Sequence, residues 1–408
     1  MSAKRTAILN HAHGKQRGAA LLIMLVILVV GAAAVLINSL TSSTVKIARQ
    51  ETTAAALAQA KDALIGYAAS DATRPGELPC PDVNDDGKLT MNVDYIGSNC
   101  VSPIGRLPWK TLGLPELRDG AGEHLWYTVS KTFWANGSVP INSDTQGNLT
   151  VSGTTAASNV IAIVFAPGNA LSGQSRSSTN QVACATNGLT VAESWCATNY
   201  LEGTNPAPNP QVTPNLNYQS ANTSSTFNDR LMIISTRDLI PPVEKRVAKE
   251  VQGFLASYRA ANGGVYPYPA TFTNCTFNSA NPINSNCDSS QTQCRGRLPL
   301  HSDVLSYPDW ANTLPAWFVN NGWFNVIYYS AGTNRLNPSP VGCNPNLTVS
   351  GAPTPALFFM PGSPLGNITR PSNNLPDYLE DAENQNMDDT YVQPGSTAIS
   401  NDSLYILP

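Results

Sequence analysis

Hydrophobic and polar positions fall into distinct regimes along the chain. From Ala19 to Ile37, 19 consecutive residues carry no charged or strongly polar side chain. Such a run rises roughly 28 Å as a helix, about the thickness of a bilayer's hydrocarbon core. From Asn38 to Ile65 there is no Gly or Pro, and Ala, Leu, Gln and Lys dominate. These are good helix formers, so the run predicts the first half of one helix about 50 residues long. Later apolar runs at Val160–Phe165, Leu231–Ile234, Ala356–Phe359 and Leu404–Leu407 are short enough for buried strands. A helical pattern returns once. Leu57, Ala60, Leu64 and Tyr67 recur 191 residues later as Ala248, Val251, Leu255 and Tyr258, each set on one helix face. That second helix is expected to start at Pro241-Pro242 with Glu244 in its first turn, and to stop at Asn262-Gly263-Gly264.

The recurrence belongs to an internal duplication. Leu78-Pro79-Cys80-Pro81 answers to Tyr266-Pro267-Tyr268-Pro269, and Gly105-Arg106-Leu107-Pro108 to Gly296-Arg297-Leu298-Pro299. Leu125–Val129 parallels Asn325–Tyr329, and Ala166-Pro167-Gly168 parallels Met360-Pro361-Gly362. Tyr200-Leu201-Glu202 reappears as Tyr378-Leu379-Glu380, and Asn228-Asp229-Arg230 as Asn401-Asp402-Ser403. The offset drifts from 191 to 173, which places insertions and deletions in loops. The boundary is expected near Ile240, with Glu202–Thr226 a long surface loop of the first copy.

Composition sharpens the compartment. Charged residues are 13% of the chain against roughly 25% in a typical soluble domain. The 29 Gly and 31 Pro favour turns, short strands and long connections. A net charge of −4 without a basic stripe beyond Lys4, Arg5, Lys15 and Arg17 argues against nucleic acid as a partner. By the positive-inside tendency those four cations predict a cytoplasmic N-terminus, with the rest of the chain translocated. All eight cysteines lie beyond the apolar run, and an even count in an exported, loop-rich chain reads as disulfides. Neighbour pairing gives Cys80 with Cys100, Cys184 with Cys196, Cys275 with Cys287 and Cys294 with Cys343, one of 105 connectivities. With no CxxC and four histidines in all, a zinc cluster is not expected.

Lys15-Gln16-Arg17-Gly18 followed by Ala19-Ala20-Leu21-Leu22-Ile23-Met24-Leu25 resembles the N-terminus of type IV pilins and of the pseudopilins of type II secretion. Ala63–Ala68, Leu78–Asp82 and Gly105–Trp109 resemble a little-characterised group of pilin-like bacterial proteins. The first resemblance implies a leader, residues 1–18, removed by a prepilin peptidase between Gly18 and Ala19. It implies a helix over 19–69 with a membrane span at 19–40, and a filament core reached through Leu21, Leu22, Ile23, Leu25 and Val26. The expected class is α+β: the long helix, part in the membrane and part exported, then two tandem units of a helix on an antiparallel sheet, 70–240 and 241–408. Most pilins carry Glu where Ile23 stands, and its loss is a habit of tip-type minor subunits. The resemblance therefore implies a minor pilin or pseudopilin that initiates or caps a type IV pilus or secretion pseudopilus, with other pilin subunits as partners and an adhesive head. Its place would be the inner membrane, single-pass with a periplasmic head, before assembly into the filament. The alternative is a membrane-tethered extracytoplasmic binding protein or adhesin that never enters a filament.

Candidate chemistry is sparse. Asp82, Asn84 and Asp86 with Gly87 and the Lys88 carbonyl form the first half of a calcium loop. Val93 stands at the twelfth position, where a carboxylate belongs, and Asp94 comes one residue late. The alternative is an Asx-rich turn. No Gly-x-Ser-x-Gly elbow or phosphate loop occurs, and His124 and His301 lack a nucleophile motif, so no enzyme and no cofactor beyond calcium is expected. Among the aromatics of the second copy, Trp323, Phe324, Tyr328 and Tyr329 read as core, and Trp310 and Trp317 as candidate surface residues. Arg106 and Arg297 are each expected to pair with a carboxylate of their own unit.

Overall fold

The computed structural model describes residues 17–135, 139–184, 190–206, 216–274, 287, 289–300, 314–386, 388–395 and 400–408. Within 17–42 its side chains are described at Met24, Leu25, Ile27, Leu28 and Val29, and those of Thr190, Val191 and Asn274 are not described. The chain divides into two units, 1–52 and 53–408. Helix α1 runs Arg17–Ser70. Among the described residues, no helix is long and apolar enough to cross a membrane. This overturns the span expected at 19–40 and the single-pass inner-membrane location, cytoplasmic N-terminus and periplasmic head, that rested on it. The apolar run passes without a break into helix bearing Lys46, Arg49, Glu51, Lys61 and Asp62, so the element is not an apolar rod bounded by turns.

Unit 53–408 is mostly β-sheet. In the first repeat come β1 (Tyr95–Ile96), β2 (Asn99–Cys100), β3 (Ile104–Arg106), β4 (Trp126–Val129), β5 (Leu149–Gly153), β6 (Ala157–Val160), β7 (Ala162–Ala166), β8 (Gln181–Ala183), β9 (Thr190–Ala192), β10 (Asn217–Ser220) and β11 (Arg230–Ile234). Helix α2 (Thr236–Ala261) opens the second, followed by β12 (Arg295–Arg297), α3 (Ala316–Asn320), α4 (Trp323–Val326), β13 (Tyr328–Ala331), β14 (Leu347–Val349), β15 (Ala352–Thr354), β16 (Ala356–Met360), α5 (Ala382–Gln385), β17 (Thr390–Tyr391) and β18 (Ser403–Leu407). The expected α+β class is corrected accordingly. Beyond α1 and α2 the described helices are single turns, and the sheets are not all antiparallel.

The duplication is visible in the topology. The antiparallel order β11-β7-β4-β3 is matched by β18-β16-β13-β12, and the three-stranded β10-β5-β6 by β17-β14-β15. In both three-stranded sheets the strand from the end of the repeat joins in parallel, β10 on β5 and β17 on β14. One correspondence shifts. Trp126 faces Arg106 and Phe165 across the first sheet, and Tyr328 faces Arg297 and Phe359 across the second. Trp126 therefore answers to Tyr328, two residues beyond the expected match, and aromatic identity along one strand could not reveal a register set by its neighbours.

The repeats do not form separate tandem units. One core gathers Leu57, Ala60 and Leu64 of α1, Val251, Leu255 and Tyr258 of α2, and apolar residues of both four-stranded sheets. Leu64 and Leu255 are wholly buried at matching positions, each burial contributing about 2 kcal/mol. A smaller core with Ile104, Trp126, Ile163 and Phe165 lies on the other face of the first sheet, which is why β7 is apolar throughout. Residues 141–144 stitch the repeats together. Ile141 donates its amide to Asn321 Oδ1 (2.9 Å), Asn142 Nδ2 donates to the Asn321 carbonyl (2.8 Å), Ser143 Oγ donates to Glu244, and the Tyr378 hydroxyl donates to Asp144 Oδ2 (3.2 Å).

Helix α2 begins earlier than expected, at Thr236, leaving Pro241 and Pro242 inside it and the 240/241 boundary within the helix. The Asp238 carboxylate accepts from the Ser235 amide (2.8 Å) and hydroxyl (2.7 Å), so a capping box supplies the start signal ahead of the prolines. Asp238 also meets Lys61 of α1 at 2.7 Å. Disulfides Cys80–Cys100, Cys184–Cys196 and Cys294–Cys343 are formed. Cys287 is disulfide-bonded too, while Cys275 lies outside the described residues.

Helical Gly66 and Gly253 have open space where a Cβ would stand. Changing either to Ala is expected to stabilise the fold by about 0.5–1 kcal/mol, read as a higher denaturation midpoint at unchanged slope.

Candidate functional site

The duplicated Gly-Arg-Leu-Pro builds the most elaborate polar arrangement of the first repeat. Residue 82 crosses the end of β3 as a bridge: the Asp82 amide donates to the Arg106 carbonyl (3.0 Å), and the Arg106 amide to the Asp82 carbonyl (2.7 Å). A Cβ on Gly105 would lie 2.4 Å from that carbonyl oxygen, so only glycine permits the crossing. Arg106 then turns into the protein. Its guanidinium lies between the rings of Trp126 (4.2 Å) and Tyr200 (4.1 Å), donates to the carbonyls of His124 (3.2 Å) and Ser194 (3.0 Å), and leaves Nε 3.9 Å from Asp85 Oδ1. Burial, the largest cause, lowers the Arg106 pKa, and Asp85 opposes it.

Arg297 repeats the arrangement over Phe272 (4.2 Å) and Tyr378 (5.1 Å). Its amide and the Ala270 carbonyl make the matching bridge (2.9 Å). Arg106 thus has the carboxylate of its own repeat that was expected. Asp144 of the first repeat also acts on Arg297. A second arginine stacks on the same tyrosine in each copy, Arg176 on Tyr200 (4.3 Å) and Arg370 on Tyr378 (4.9 Å).

Beside Arg106 opens a shallow, solvent-open recess with enclosed room for about one water-sized group, lined by Asp82, Asp85, Arg106, Trp126 and Trp195 among others. The Cys184–Cys196 disulfide holds the segment carrying Trp195 against it. His124, at its edge, meets Asp85 through Nδ1 (2.8 Å) and Glu116 through Nε2. Two carboxylates thus hold the imidazole.

The calcium-like loop is held by backbone amides. Asp82 accepts from Gly87 N (2.6 Å) and Asn84 N (3.0 Å), Asp86 from Lys88 N (2.7 Å), and Asp94 from Val83 N (2.9 Å) and Thr90 N (2.6 Å). Burial, only partly offset by the Gly87 and Asn84 amides, pushes Asp82 up to about 6, with Asp94 and Asp86 adding to the rise. Among the described residues no group of three or more His, Cys, Asp or Glu is placed to hold a metal ion. One oxygen of the loop is left over, the buried acceptor Asn84 Oδ1, which has no hydrogen-bond partner.

Each repeat also hides an acid pair that motif reading did not single out for chemistry. Asp229 Oδ2 accepts from the Glu202 amide (2.9 Å), and Glu202 Oε2 accepts from the amides of Asn228 (2.9 Å) and Asp229 (3.1 Å). Asp402 Oδ2 likewise accepts from the Glu380 amide (2.9 Å), and Glu380 Oε2 from Asn401 N (3.2 Å). Burial first, then the facing glutamate, drives Asp229 and Asp402 upward. Their signal in the sequence was the recurrence of Tyr-Leu-Glu and Asn-Asp.

Of the other expected site residues, Gly18, Ala19, Leu21, Leu22, Ile23 and Val26 lie within α1 without described side chains, and Leu25 is exposed. Trp310 lies outside the described residues. Trp317 is half-buried, edge-on to Phe318 (5.7 Å) with Arg246 over its ring (5.9 Å), so it is packed rather than a free platform. Trp323, Phe324, Tyr328 and Tyr329 are buried. No protein-family model matches the chain, and no curated protein or solved structure is similar to it at a significant level.

Proposed function

We propose that the chain is a non-enzymatic minor pilin or pseudopilin, a structural subunit that initiates or caps a type IV pilus or secretion pseudopilus and presents the double repeat as its head. The observation that carries this reading is the cluster Met24, Leu25, Ile27, Leu28 and Val29 on α1, all exposed, Leu28 by 71%. At about 100° per residue these five cover roughly 200° of the helix circumference. One partner helix covers a narrower stripe, so the cluster suits a rod surrounded by several sister rods. Contiguous apolar surface of this kind favours burial against like surface. The reading needs no membrane-spanning stage, only helices that exchange solvent for one another. Ile23 in place of the usual glutamate supports an end position in the fibre. Prepilin peptidase would cut between Gly18 and Ala19 in the first turn of α1, whose leading amides have no partner within the helix and are cheaply opened.

Mass spectrometry of the native chain is expected to find Ala19 at the N-terminus. A Gly18→Leu variant should keep its leader and disappear from the fibre fraction. A native chain that retains Met1 and never fractionates with fibres would leave a free-standing binding protein instead.

We propose further that the Asp82 loop takes calcium. Asp82, Asn84 and Asp86 with the Lys88 carbonyl would hold it, and the unpartnered Asn84 Oδ1 suits a hard cation that prefers oxygen. Calcium at about ten times its dissociation constant should add roughly 1.4 kcal/mol of stability, seen as a higher melting temperature that Asp82→Asn abolishes. No heat on titration and no shift in melting would dispose of the site.

A further inference from the structure

We infer that the recess beside Arg106 is a binding site for a neutral hydroxylated ligand, a sugar ring seated on Trp195. Every other part of the Arg106 guanidinium is occupied. Its faces are covered by Trp126 and Tyr200, and its terminal nitrogens bond the carbonyls of His124 and Ser194. Arg106 Nε is buried without a hydrogen-bond partner, and so is Trp126 Nε1; both residues line the recess.

Opposite Arg106 Nε stands Asp85 Oδ1 at 3.9 Å, too far for a hydrogen bond but suited to an oxygen about 2.8 Å from each. That oxygen must accept from the guanidinium and donate to the carboxylate. A hydroxyl does both, whereas an anion meets Asp82 and Asp85, and a cation meets Arg106. Trp195, 43% exposed at the rim, offers the apolar ring face that the C–H side of a sugar needs.

The Trp195 wall belongs to the first repeat. The chain from Gly168 to Tyr200 is 32 residues, against 16 from Gly362 to Tyr378, and the added length carries the β8–β9 hairpin and Trp195. An insertion that completes a recess on a duplicated scaffold is where new binding function arises. The site does not depend on filament membership, because its test reads sugar binding and not processing or assembly.

The test is saturation-transfer NMR on the full chain with D-glucose, D-galactose and D-mannose. At least one sugar is expected to receive saturation at roughly 10 mM, as weak carbohydrate binding requires. Asp85→Asn should weaken that binding roughly tenfold or more, and Trp195→Ala should abolish it, with both variants keeping the native near-UV circular-dichroism spectrum. No transfer to any of the three sugars would overturn the site, leaving the recess to water. So would transfer that survives both substitutions.

Discussion

Gly296→Ala is expected to destabilise the protein by at least about 3 kcal/mol, and to leave little folded chain if overall stability is ordinary. A Cβ at residue 296 would lie 1.9 Å from the Ala270 carbonyl oxygen, inside any permitted contact. That oxygen cannot retreat, because it accepts the Arg297 amide at 2.9 Å while the Ala270 amide donates to the Arg297 carbonyl at 2.9 Å. Moving it would break the bridge and swing Arg297 off Phe272 and Tyr378. Gly105→Ala should act in the same direction through the Asp82 carbonyl, at 2.4 Å. Equilibrium denaturation checks both, with Gly253→Ala as the contrasting helical glycine. A loss below about 1 kcal/mol at residue 296 would mean that the crossing segment is not fixed there.

Stability is expected to fall as pH rises from about 5 to 9. Burial raises Glu244 to about 7 despite hydrogen bonds from Ser143 and Gly362 and the pull of Arg370, with Asp144 adding to the rise. Asp229 rises against Glu202, and Asp402 against Glu380 with Arg370 opposing. An acid whose folded pKa is raised contributes stability that is fully present below its unfolded value, near 4. That contribution is lost as pH climbs through the folded value. For Glu244 alone the loss is roughly 3 kcal/mol. With the two pairs included, the melting temperature should fall by about 5 °C or more across that range. Glu244→Gln and the Glu202→Gln/Glu380→Gln pair should each flatten the profile, since an amide offers the facing oxygen a proton at every pH. A melting temperature that is level or rising toward pH 9 would contradict this assignment.

The duplication was legible because helices and strands print their burial in one dimension: Leu64 and Leu255, or Phe165 and Phe359, occupy matching buried places. The described disulfides join cysteines adjacent in sequence order, so nearness along the chain was a sufficient guide. What depended on contacts between distant segments was not legible. The Trp126–Tyr328 equivalence is fixed by cross-strand partners. The merging of both repeats into one core rests on Ile141 and Asn142 reaching Asn321. The start of α2 was misread because prolines are louder in sequence than Ser235 and Asp238. The Arg106 recess gave the least warning, since Asp85, Arg106, Trp126 and Trp195 are scattered over 110 residues.

Placing a photo-cross-linking amino acid at Leu28 tests most directly whether α1 works by packing against other subunits. In isolated fibres, irradiation should join the chain covalently to the N-terminal helix of another subunit, whereas the same residue at exposed Ser70 should give no such product. Cross-links absent from fibres that contain the chain, or a chain absent from every fibre preparation, would contradict the account.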